Sequence, residues 1–240
     1  VLMTRVQEDD DLDEVLAKLI SESTNTQKLS FSEAMKRGQG AEAKKTIGEQ
    51  QHVDASEFYE AILPELREDC SYGVSTLDAK GHWNDYEVRS RESLLKISEQ
   101  HTAKGDNVFV AMNTFNRNNE LGKFSRQAKY ADQGQCIWAD IDCDHGSTLG
   151  QYQTKEVALA AIEAVTGEDA IPKPTYVVDS GHGFHLYWVL DRPMNSLELK
   201  ILAADFEKML TTAGLKMDAR VTTDMARVLR AIDSYNMKEE

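Results

Sequence analysis

The stretch Gln135-Cys136-Ile137-Trp138-Ala139-Asp140-Ile141-Asp142-Cys143-Asp144 decides how the rest of the chain is read. An apolar run from Cys136 to Ala139 passes straight into alternating carboxylates at Asp140, Asp142 and Asp144. The run reads as a buried strand, and residues two apart on a strand point the same way. Asp140 and Asp142 therefore project side by side. Carboxylates that close repel and raise each other's pKa. A divalent cation between them removes the conflict, and hard oxygen ligands suit magnesium or manganese. An acidic surface turn is the plainer alternative, but the apolar run leading into the acids favours a metal.

A second stretch, residues 175–190 (TYVVDSGHGFHLYWVL), supplies what such a site needs. Tyr176-Val177-Val178 reads as one strand, residues 179–183 as a turn, and residues 184–190 as a second strand. Phe184, Leu186, Trp188 and Leu190 share one face of that strand; His185, Tyr187 and Val189 share the other. Gly181 and Gly183 allow positive φ and close approach to a ligand. A lone strand histidine is ordinarily a packed core or surface residue, whereas this Gly-x-Gly-x-His run points to contact with phosphate or a metal-bound substrate.

The order Asp140-x-Asp142, then Ser180-Gly181-His182-Gly183-Phe184-His185-Leu186-Tyr187-Trp188, then Met217-Asp218 and Asp224-x-x-Arg227-Val228-Leu229-Arg230, resembles the archaeo-eukaryotic primase (AEP) superfamily, specifically the primase-polymerases (PrimPol type) of phages and plasmids. The resemblance spans residues 53–238. It implies an α+β fold with an AEP-type catalytic core, an RRM-like antiparallel or mixed sheet flanked by helices, with an N-terminal αβ part. It implies DNA-directed primase or polymerase activity in phage or plasmid replication, by two-metal nucleotidyl transfer. Asp140, Asp142 and Asp218 are the implied ligands of two Mg2+ or Mn2+ ions, with Asp224 competing for the third place. His185, Ser180, Gly181 and Gly183 are implied to bind the nucleotide triphosphate, and Arg227 and Arg230 to pair with phosphates. The family often has serine where this chain has Gly183, and many phage relatives continue with Pro-Gly-Thr where this chain has Ala231-Ile232-Asp233. The implied partners are a single-stranded DNA template, a primer or nascent strand, NTP or dNTP, and a fused or associated helicase.

With 240 residues and 41% hydrophobic content the chain can bury a sizeable core. No apolar run approaches the ~20 residues of a membrane span. Cys70, Cys136 and Cys143 form no CxxC pair, so neither a zinc knuckle nor a disulfide framework is indicated. A reducing cytoplasm, of a bacterial, archaeal or phage-infected cell, is expected. Val1 followed by Arg5 and an acidic run gives no secretory signal, and fits an excerpt of a longer chain. The net charge of −14 argues against a protein that coats nucleic acid. Residues 71–130 nevertheless carry nine bases against seven acids. Within them, Arg117, Lys123, Arg126 and Lys129 interleave with Phe115, Phe124 and Tyr130, a composition for contacting phosphates and stacking bases. Arg117, Lys123, Phe124, Arg126 and Lys129 are therefore the candidate nucleic-acid contacts.

Residues 1–52 read as an N-terminal helix on Leu12, Val15, Leu16, Leu19 and Ile20 followed by a polar linker, and residues 53–240 as the catalytic domain. Asp54 begins a helix that Pro64 stops. Strands are expected at residues 72–77, 83–88 and 107–113, and helices at 90–97, 155–165 and 197–213. A short helix capped by Asp224 is expected to carry Arg227 and Arg230. Three rivals use parts of the same pattern. A rolling-circle initiator would employ His182 and His185, though their spacing puts them on opposite strand faces. A two-metal nuclease would use the same carboxylates, and an inactive nucleic-acid-binding module would not need to keep all of them.

Overall fold

The computed structural model describes residues 53–143, 151–167 and 171–234. The expected N-terminal helix, the linker to residue 52 and Asp144 lie outside them. Asp54 caps helix α1 (Ala55–Ile62) by accepting from the amides of Ser56 and Glu57, and Phe58, Tyr59 and Ile62 face inward. Leu63 is already extended, as a residue before proline prefers. Strands β1 (Cys70–Leu77) and β2 (Trp83–Val88) pair as a hairpin, with Tyr72 opposite Val88 and Leu77 opposite Trp83. Ser90 caps α2 (Arg91–Ala103), which continues past the expected end at Ile97.

The strand expected over residues 107–113 ends at Ala111 as β3 (Asn107–Ala111), and a further strand, β4 (Asn113–Asn116), begins after a bend. The chain breaks at Met112, whose amide donates to the Arg227 carbonyl at 3.0 Å instead of to a strand neighbour. Asn113 is buried beside it, its Nδ2 donating to the Met225 carbonyl at 2.9 Å. Then follow β5 (Ala131–Asp142), α3 (Lys155–Val165), β6 (Tyr176–Asp179), β7 (Gly183–Asn195), α4 (Ser196–Thr212), the single turn α5 (Ala219–Thr222) and β8 (Val228–Arg230). Asn195 caps α4 by accepting from the Glu198 amide, and the Ser196 hydroxyl donates to the Ala131 carbonyl. On α4, Leu199, Ala203, Phe206 and Leu210 form the buried stripe, and Met209 is exposed.

Residues 224–230 also depart from expectation. Asp224 closes a tight turn, accepting from Ala226 N at its side chain and from Arg227 N at its carbonyl. No helix carries the two arginines. Val228, Leu229 and Arg230 pair with β3 instead, and a partner strand outweighs the weak helical preference of so short a segment.

The eight strands run in the order β6-β7-β5-β4-β1-β3-β8, with β2 also paired to β1, and every strand pairing is antiparallel. The protein is therefore α+β among the described residues. Strand β1 bonds β4 at Cys70 and Ser71 and bonds β3 from Val74 to Leu77, so the sheet divides at the Met112 bend into two arms. Both faces of β7 are covered. Tyr187 meets Phe58 of α1, ring centroids 5.2 Å apart, and Trp188 meets Phe206 of α4 at 4.7 Å. Among the described residues no helix is long and apolar enough to cross a membrane.

Candidate functional site

Strands β5 and β7 set Asp140 directly opposite His185, and Asp142 opposite Gly183. Opposed residues of an antiparallel pair share a face. His185 Nε2 lies 3.6 Å from Asp140 Oδ1, and Arg227 Nη2 lies 3.7 Å from Asp140 Oδ2. The Asp218 amide donates to the Asp140 carbonyl at 3.3 Å, which ties the third acid to the first. Four elements distant in sequence thus meet around Asp140.

His185 is only 6% exposed. Burial, reinforced by the charges of Arg230 and Arg227, lowers its pKa to about 3, so the ring is neutral near pH 7. Its Nδ1 is buried without a hydrogen-bond partner, as is Nε of Arg227. Orphaned buried nitrogens are costly and are commonly completed by a ligand or water.

The need for Gly183 is steric. Its φ is not positive, unlike that of Gly181 at 95°. A Cβ on it would stand 1.9 Å from the Ile141 carbonyl oxygen, so the close approach of β7 to the acidic end of β5 requires glycine. A serine at this position has no room here.

Asp142 is exposed at the end of β5. Asp218 caps α5, and its carboxylate accepts from Arg220 Nε at 3.2 Å and Nη2 at 3.3 Å. Burial raises the Asp218 pKa, but the hydrogen bonds from Arg220 and the charges of Arg220 and Arg227 outweigh it, and the net direction is downward. Among the described residues no three acidic, histidine or cysteine side chains gather in metal-ligand geometry. The donor chemistry still fits a hard divalent ion: Asp140 and Asp142 lie on one strand, Asp218 is bonded to Asp140 through its backbone, and guanidinium groups now face two of the three carboxylates. Asp224, the competing acid, is engaged in its own turn.

The turn before β7 is self-contained. The Gly181 amide donates to Asp179 Oδ1, the Ser180 amide donates to the Gly183 carbonyl, and Cys143 N donates to the His182 carbonyl. The backbone contacts expected for a triphosphate from Ser180 and Gly181 are thus made within the turn. His182 is exposed there and His185 is buried, so the two histidines do not form a shared pair. Arg230 Nη1 donates to Asn107 Oδ1 at 2.9 Å, and its guanidinium lies 5.1 Å from the Phe109 ring centre.

The basic segment is largely neutralised by its own neighbours. Arg117 pairs with Glu87, Arg126 with Asp85 at 3.1 Å, and Lys129 with Glu120 at 2.6 Å. Lys123 is exposed, and Phe124 packs edge-on against Phe115 with centroids 5.9 Å apart. Sequence reasoning passed over two residues here. Arg220 sits two residues beyond Asp218, a spacing at which a cap can meet a side chain. Trp83 opens strand β2 and is 44% exposed.

No family model matches the chain. In sequence it is 24% identical over 174 residues to a Replication protein of Clostridium perfringens, a match covering 67% of this chain and 39% of that protein. The chain thus spans well under half the length of the relative. Among solved structures it is similar to the AEP domain of the cyanophage S-2L primase-polymerase, with a TM-score of 0.45 at 13% identity, covering 67% of this chain and 72% of the other. Asp140, His185, Asp218 and Arg227, motif residues on which the sequence resembles the archaeo-eukaryotic primases, are the ones that meet here.

Proposed function

We propose that the protein catalyses template-directed nucleotidyl transfer, as a DNA primase or polymerase in phage or plasmid replication. The observation that carries the reading is the meeting of Asp140 with neutral His185, Arg227 and the Asp218 backbone at one end of the β5–β7 pair. Similarity to a protein named for replication supports the setting. Asp140, Asp142 and Asp218 would hold divalent magnesium or manganese, two ions in the full site, which lowers the pKa of an attacking 3′-hydroxyl and neutralises a leaving pyrophosphate.

The chain's own groups do the rest. A buried neutral imidazole offers one N–H donor and adds no charge, so His185 can bind a triphosphate oxygen from its unsatisfied side without drawing in a second anion. Arg227, beside Asp140, supplies positive charge where the triphosphate arrives, and Arg230 adds to the same field. Arg220 must release Asp218 for its carboxylate to turn to a metal, and as a highly exposed side chain it does so at little cost. Labelled nucleotide incorporation on a primed single-stranded template with manganese or magnesium tests the reading. Incorporation that needs added nucleoside triphosphate supports it; template cleavage without triphosphate places the same carboxylates in a nuclease.

A further inference from the structure

In the β1–β2–β3–β8 arm, cross-strand partners line up in rows. Tyr86, Val74, Val110 and Leu229 form one row, buried or half-buried on the side of α2, whose His101 meets Tyr86 at 5.0 Å. The alternate rows, Asp85-Ser75-Phe109-Arg230 and Trp83-Leu77-Asn107, therefore lie on the opposite face. On that face Trp83 stacks on Phe109, with centroids 5.2 Å apart and planes 26° apart. The Arg126 guanidinium stands 5.9 Å from the Trp83 ring centre, and that of Arg230 flanks Phe109. Asp85 holds the set in place, accepting from Trp83 Nε1 at 3.2 Å, from Arg126 Nε at 3.1 Å and from the Ser75 hydroxyl. Arg126 is anchored further by donating to the Ala226 carbonyl at 2.7 Å.

Two stacked rings bracketed by two guanidiniums match the needs of an unpaired nucleic-acid strand, which offers base faces for stacking and phosphates for cations. Asp85 and Arg126 neutralise each other, so Asp85 does not turn phosphate away and Arg230, beside Phe109, is the cation a phosphate meets on this face. The row ends at Arg230 on β8, three residues beyond Arg227, which stands 3.7 Å from Asp140 in the candidate site. We infer that Trp83, backed by Phe109 and flanked by Arg126 and Arg230, is a base-stacking platform for single-stranded DNA. This deepens the proposed function by giving the template a place on the sheet.

Trp138 and Trp188 are fully buried, which leaves Trp83 as the exposed tryptophan of three. Titrating the full chain with oligo(dT) in EDTA reads binding without turnover. Tryptophan fluorescence is expected to be quenched, and Trp83→Ala to raise Kd about ten-fold with the salt slope unchanged, because losing one stack releases no counterions. Trp83→Leu, which keeps apolar bulk without a π face, gives the same loss, and Trp83→Phe keeps most of the affinity. Unchanged Kd in folded Trp83→Ala and Trp83→Leu overturns the platform. So does equal quenching by dTTP alone, which would make the surface a mononucleotide site. Absence of nucleotide incorporation by the parent protein overturns the proposed function alone, since the binding measurement uses no metal.

Discussion

Asp142 ends its strand in solvent and opposes a glycine, so it contributes little packing. Asp142→Ala is expected to reduce incorporation at least about 100-fold, as loss of a ligand does, while thermal melting stays unchanged or rises slightly because a carboxylate beside Asp140 is removed. Ordinary incorporation by a folded variant would end the metal reading. His185→Ala should raise the KM for nucleotide and slow turnover while oligonucleotide affinity stays near that of the parent; a selective loss of DNA affinity would reassign it. Gly183→Ser restores the hydroxyl common in relatives, yet its Cβ collides with the Ile141 carbonyl. It should destabilise by about 3 kcal/mol, the upper end for overpacking, read as a lowered midpoint in urea. Asp140 and His185 were legible as residues because strand alternation fixes which side chains emerge together. The crowding at Gly183 was not, since it depends on how closely a second strand approaches.

At the scale of elements, the segment between β4 and β5 is fastened by Glu120, which accepts from Lys129 and from the Tyr130 hydroxyl. The Lys129 and Tyr130 hydrogen bonds lower the Glu120 pKa from 4.5 to about 2. A carboxylate depressed on folding stabilises above its unfolded pKa and ceases to as the proton binds, so this fastening is complete above about pH 4.5 and is lost as pH falls through 2. Protection of the amides in residues 117–130, taken against the intrinsic exchange rate at each pH, should fall across that window, and Glu120→Gln should show the lower protection already at pH 7. Strand β5 was readable from its apolar run, and the β1–β2 hairpin from alternation and Gly81. β8 was misread because Asp224-x-x-Arg227 looks like a helix start, and only the unpaired edge of β3 makes a strand of the next three residues. β4, a polar run of Asn113-Thr114-Phe115-Asn116, gave no strand signal of its own, and the bend before it at Met112 is set by a bond to Arg227, far away in sequence.

For the whole molecule, charge decides how DNA is met. With a net charge of −14 and three of its four basic-segment cations paired to acids, the protein offers few free phosphate contacts. Binding of a single strand should be weak, with a slope of log K against log salt of about −2. Lys123→Ala should reduce that slope by somewhat under one unit, and a slope steeper than about −5 would mean that a basic surface lies elsewhere. The α+β class followed from the resemblance that the motifs carry, and the strands of the two central motifs were legible from their alternation and apolar runs. The division of the sheet was not, because nothing local marks a strand that serves two sets of partners.

Strand β1 is that strand: one edge bonds β2, and the other bonds β4 near Cys70 and β3 beyond Val74. Any opening that frees either arm must strip hydrogen bonds from the same eight residues. The amides of β1 should therefore be the last to exchange under native conditions, at the free energy of global unfolding, with both arms released in one step. The arm that carries Asp140 and the arm that carries Trp83 then melt together, and a destabilising change in one is felt as a lowered melting temperature of the other.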